Sequence, residues 1–128
     1  MILPSEIHAI KVFIYWNLTK SVWSVKALTG ERKGLVIAHA KELALKNCLF
    51  KVSEKQRQGI LKSKRKVVHA GVVGYLTDEH LNNNQKFISV TYNPYKFSTF
   101  VDRNDNSQPI HQANFVKLGP NRQVQAYI

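Results

Sequence analysis

The sequence predicts an α+β fold, a mostly antiparallel β-sheet with one principal basic helix at about residues 53–66 packed on it. Three observations carry that reading. Short segments of alternating apolar and polar residues recur along the chain, separated by turn-forming residues. One stretch, SEKQRQGILKSKRK at 53–66, has helix signals at both ends instead. The segment after it, VVHAGVVGYL at 67–76, is short of charge and rich in valine, which suits a strand buried on both faces at the centre of a sheet.

The elements follow in order. In HAIKVFIYWN (8–17), Ile10, Val12, Ile14 and Trp16 share one face, while Lys11, Phe13, Tyr15 and Asn17 share the other. LTKS (18–21) reads as a turn, and SVWSVKAL then puts Trp23, Val25 and Ala27 on one side of a second strand, completing a hairpin. The glycine-bracketed TGERKG (29–34) is a second turn, and GLVIAHA a third strand. Between Lys41 and Val52, helical propensity competes with the alternation of Leu43, Leu45, Cys48, Phe50 and Val52, and the alternation favours a strand with an irregular start.

The helix opens on a capping box, Ser53 with Gln56 three residues on. Glu54 in its first turn and Lys62, Lys64, Arg65 and Lys66 in its last suit the helix dipole. Gly71 and Gly74 in the following strand mark close backbone approach or a bulge. TDEHLNNNQ (77–85) reads as an exposed loop, KFISVTYNP and YKFSTFVD as two strands, RNDNSQP (103–109) as a polar loop, and IHQANFVKL and VQAYI as the last two strands. At 128 residues the chain suits one domain, with a β-rich unit at 1–76, the loop at 77–85 and a smaller β-rich tail at 86–128.

Composition narrows the function. A formal charge of +11 predicts attraction to polyanions, nucleic acid foremost. Residues 51–66 alone carry seven Lys/Arg against one Glu. The single Cys48 and an N-terminus without a basic signal region point to a reducing, cytoplasmic setting. No apolar run approaches the roughly 18 residues that a membrane span needs.

On a helical wheel, Lys55, Lys62 and Lys66 lie opposite Ile60 and Leu61, whereas Arg57 and Lys64 fall between those two, on the face that must pack. Either their stems lie on the core with their heads in water, or they point along the sheet into a shallow anion-binding cleft. TYNPYKF (91–97) adds flat rings beside a charge, a combination that stacks bases while holding phosphate, although such rings also close cores. The candidate nucleic-acid or phosphate contacts are therefore Lys55, Arg57, Lys62, Lys64, Arg65, Lys66, His69, Tyr92, Asn93, Tyr95 and Lys96.

A metal-independent ribonuclease would need a set such as His69, Arg57, Lys64 and Tyr92. Any basic chain with five histidines supplies one, so the balance is against catalysis. His8, His39, His80 and His111 show no metal-ligand spacing, and no P-loop, dinucleotide fingerprint or GxSxG is present, so no metal and no cofactor is expected.

The blocks VFIYWNLTKSVWSVKAL (12–28), KVSEKQRQGILKSKRKVVHAGVVG (51–74) and TYNPYKF (91–97), in that order, resemble a group of small basic bacteriophage-encoded proteins of unknown function. That resemblance implies a viral setting, in which such proteins bind nucleic acid or block a host defence machine. The readings carried forward are four. They are a nucleic-acid-binding module, an anti-CRISPR-like inhibitor occupying the nucleic-acid site of a host ribonucleoprotein, a small ribonuclease, and a sponge for a phosphorylated signalling nucleotide.

Overall fold

Alternation makes the first hairpin, broken only at Ser24, which is buried between Trp23 and Val25. In the computed structural model, which describes residues 10–63, 68–78 and 86–127, β1 (Val12–Asn17) pairs with β2 (Val22–Ala27) from Val12↔Ala27 to Asn17↔Val22. Val12, Ile14, Trp23, Val25 and Ala27 are buried. Asn17 shapes the turn: its Oδ1 accepts from the backbone amides of Thr19 and Lys20, both at 3.0 Å. Then come β3 (Val36–Ala40), β4 (Leu43–Val52), α1 (Glu54–Ser63) and β5 (Ala70–Leu76). The rest comprises β6 (Ile88–Thr91), β7 (Val101–Asp102), β8 (Asp105–Pro109), β9 (Gln112–Leu118), a 3-10 turn at Pro120–Arg122, and β10 (Val124–Tyr127).

All ten strands join one sheet in the order β3-β2-β1-β5-β4-β9-β10-β6-β7-β8, with every neighbour antiparallel. β5 is placed between β1 and β4, as its charge-free sequence suggests, and Gly71 through Gly74 are all buried. Gly74 faces a bulge in β4. The register shifts between Lys46 and Leu49, Asn47 turns to φ 54°, and a Cβ on Gly74 would stand 2.9 Å from the Lys46 carbonyl oxygen.

The sheet coils on itself. Trp23 Nε1 on β2 donates to the Gly119 carbonyl just past β9, at 2.8 Å, although three strands separate β2 from β9 in the sheet. The core, including Ile14, Leu45, Leu76, Val116 and Leu118, fills the concave side.

The expected α+β class is corrected to an essentially all-β architecture. Among the described residues there is a single α-helix, Glu54–Ser63, linking the sheet neighbours β4 and β5, and Ile60 is its one buried residue. One buried side chain cannot make a helix into a layer; the core belongs to the sheet. Positions 64–66 of the expected helix lie outside the described residues, as does most of the expected loop at 77–85. Two further expectations change. The strand expected at 95–102 shrinks to Val101–Asp102, because Asn93 closes a turn by accepting from the amides of Lys96 (3.0 Å) and Phe97 (2.8 Å). The polar loop expected at 103–109 contains β8, an edge strand whose five residues are all exposed.

Candidate nucleic-acid interface

Alternation places alternate side chains of one strand on opposite faces. With Val12 and Ile14 in the core, Phe13 and Tyr15 stand on the convex face, their ring centroids 6.0 Å apart. Lys26 pairs across β2 with Phe13, and Lys51 across β4 with Gly71. The Phe13 ring lies over Gly71, where a Cβ would come within 2.7 Å of Cζ. Phe13, Tyr15, Lys26 and Lys51, with Val36, Val68 and His69, line an open groove of about 600 Å³.

The groove does not stop there. Tyr15, Val68 and His69 also line a second depression of about 320 Å³, which shares Trp16, Tyr92 and Arg122 with a third, of about 280 Å³, at the mouth of the coiled sheet. Joined through these shared residues, the three make up one trough, and among the described residues no Asp or Glu lines it.

His69 and Tyr92 mark its middle. Tyr92 Oη and His69 Nε2 lie 2.7 Å apart, and the Tyr92 ring also stacks at 5.0 Å on Phe100. Burial pushes the Tyr92 hydroxyl pKa up, opposed by the positive charges of Arg57 and Arg122 and reinforced by Glu54. Desolvation lowers the Arg122 pKa, with Tyr92 acting the other way; the guanidinium remains charged at neutral pH.

The other candidate residues divide. Arg57 does sit on the packing face of α1, 13% exposed, but its head is occupied: Nε donates to the Pro94 carbonyl at 3.0 Å and Nη1 to Glu54 Oε1 at 2.8 Å. It fastens the helix to the 91–97 turn. Asn93 is likewise structural, accepting the Tyr95 amide at 2.9 Å. Tyr95 (61% exposed), Lys96, Lys55 and Lys62 present themselves to solvent. Lys64, Arg65 and Lys66 lie outside the described residues; in sequence they run directly up to the trough-lining Val68 and His69. Of the ribonuclease set, His69, Tyr92 and Arg57 are brought near one another, with the Arg57 guanidinium engaged elsewhere.

Phe13, Tyr15, Lys26, Lys51, Trp16 and Arg122 were not among the candidates from sequence. For the first four a signal existed, since Lys11, Phe13, Tyr15 and Asn17 share a second face and Lys26 and Lys51 alternate against core residues. Among the described residues no group of three His, Cys, Asp or Glu could hold a metal ion, and no helix is long and apolar enough to cross a membrane.

A small, strongly basic, coiled-sheet protein with an acid-free, aromatic-walled trough is the class that the fold and site define. The chain belongs to the family described as Mycobacterium phage L5 gene 82 protein, whose family model matches residues 6–126. It is similar to the gene 82 protein of Mycobacterium phage L5 itself, 38% identical over 103 residues that cover 74% of this chain and 79% of that one. The phage setting expected from the sequence blocks is thereby established. No solved structure matches the chain.

Proposed function

We propose that this phage protein binds single-stranded nucleic acid along the trough. The observation that carries the reading is the pairing of half-buried rings with cations that no described carboxylate opposes: Phe13 and Tyr15 between Lys26 and Lys51 at one end, Tyr92 and Trp16 beside Arg122 at the other. Rings on an open sheet surface stack on bases that are not already stacked in a duplex, and lysines beside them follow the backbone phosphates. The basic helix contributes long-range attraction through Lys55 and Lys62.

The test is fluorescence anisotropy with labelled ten-nucleotide single strands of DNA and RNA and with a duplex control, at several salt concentrations. Three phosphate contacts by Lys26, Lys51 and Arg122 give a log–log salt slope of about −2 for a single strand. Lys26→Gln with Lys51→Gln brings the slope to about −0.7 and weakens binding. A salt-independent affinity, or duplex binding that ignores this double variant, refutes the assignment.

A further inference from the structure

We infer that the mouth of the coiled sheet is a pocket for one unstacked nucleobase, with Arg122 holding the phosphate attached to it. This rests on the trough reading and sharpens it, because the mouth differs from the rest of the trough. It is the smallest of the three depressions, about 280 Å³, just under the range of drug-sized pockets. Its walls are rings fixed from behind. Trp16 packs edge-on against Trp23 at 5.1 Å, and Tyr92 is set by Phe100 and by His69. A planar, apolar-faced ligand fits walls of this kind.

The cation is placed by a turn held in an uncommon conformation. Asn121 (φ 58°) and Arg122 (φ 65°) are both left-handed, a region Asn tolerates and Arg seldom enters. Three bonds hold the turn there: Trp23 Nε1 to the Gly119 carbonyl at 2.8 Å, the Gly119 amide to the Gln123 carbonyl at 2.9 Å, and the Gln123 amide to the Pro120 carbonyl at a long 3.4 Å. The same indole that lines the cavity thus anchors the loop carrying its charge. Among the described residues no carboxylate pairs with Arg122. A guanidinium left unpaired beside an aromatic cavity is matched by an oxyanion joined to a ring, and a nucleotide unit supplies both.

That unit comes either from one position of a bound strand or from a free nucleotide, and the experiment separates the two. The chain's two tryptophans both line the mouth, so intrinsic fluorescence reports its occupancy. Wild-type protein is titrated with a single-stranded ten-mer, with a set of ten-mers each lacking one base, and with adenosine 5′-monophosphate. The expected result is quenching by the intact ten-mer. Loss of one particular base should weaken binding roughly tenfold and abolish the quench, while its neighbours matter less. Arg122→Gln should lower the salt slope by about 0.7.

Binding without quenching and with a flat base-deletion profile overturns the pocket while leaving the trough standing. Quenching by the mononucleotide with no binding of any ten-mer supports the pocket, with a free nucleotide as its ligand, and overturns the trough. Silence in every arm overturns both.

Discussion

Replacing Gly71 by alanine tests the register on which both the sheet and the trough depend. A Cβ at this position would meet the Ile14 carbonyl oxygen of the neighbouring strand well inside contact distance, and would lie 2.7 Å and 2.8 Å from two carbons of the Phe13 ring. The ring can swing aside, but the carbonyl belongs to β1, which pairs with β5 through Ile14↔Val72. Relief therefore requires β1 to part from β5 at that end. Overpacking of a buried site costs about 1–3 kcal/mol, and a collision with backbone belongs at the upper end. About 3 kcal/mol is a large share of the roughly 5–15 kcal/mol that holds a domain folded. For a chain of this length it corresponds to a fall of roughly 10 °C in Tm.

Gly59→Ala is the matched control. It sits inside α1, and apart from its chain neighbours and the backbone of its own helix nothing lies within 4 Å of the Cβ it would add. Helix propensity alone then operates, for a gain of about 0.5–1 kcal/mol. Thermal melts of the two variants should move in opposite directions. A Gly71→Ala protein melting within about 2 °C of wild type would show that β1 and β5 are not packed as described, and the placement of Phe13 would fall with it.

Two other perturbations separate scaffold from interface. Arg57→Ala removes a charged donor from Pro94 and from Glu54, so stability in urea should drop by about 1–2 kcal/mol, while the salt slope of nucleic-acid binding stays unchanged. A slope reduced by about 0.7 would return Arg57 to the interface. Cys48 is buried in apolar surroundings, which pushes its thiol up to about 12. Native protein should resist iodoacetamide that labels it readily in denaturant. Tyr92 is raised as well, again through burial. Both groups keep their protons longer in the folded state than in the unfolded one, so stability should hold near neutrality and decline as pH rises above about 9, where the unfolded thiol ionises first. Urea midpoints constant up to pH 10.5 would contradict the burial of both.

What could be read in the sequence followed how directly each residue's neighbours constrain it. β1 and β2 were legible because alternation reports burial one residue at a time, and Val12, Ile14, Trp23 and Val25 meet the core as their spacing requires. Of the expected capping box the serine half is present, the Gln56 amide meeting Ser53 Oγ at a long 3.4 Å, whereas the Ser53 amide goes to the His69 carbonyl at 2.7 Å instead of to the Gln56 side chain. β8 could not be found this way: at a sheet edge with five exposed residues, DNSQP has no buried face to produce a pattern. The helix misled by its charge density, which marks solvated surface and says nothing of how much core an element covers. Arg122 was hidden for a different reason. Only the left-handed backbone at Asn121 and Arg122, and the bond from Trp23 to Gly119 across 96 residues of sequence, bring a turn residue to the mouth.

The distribution of charge joins these points. With 19 Lys and Arg against 8 Asp and Glu, most cations have no acid available within the chain, and self-repulsion among them works against the compact state. One acid serves two donors: Glu54 accepts from Arg57 and Gln58 together. Among the described residues no acid lines the trough, although Lys26, Lys51 and Arg122 stand there beside half-buried rings. Phe13 in particular requires Gly71 beneath it, a second concession in an otherwise valine-rich strand. Unopposed charge, half-buried rings and a glycine kept clear for one of them each weigh against stability when taken alone. An anionic ligand with flat faces would offset all three at once, and for that reason the convex face of β1, rather than the basic helix, is where variants should first be made.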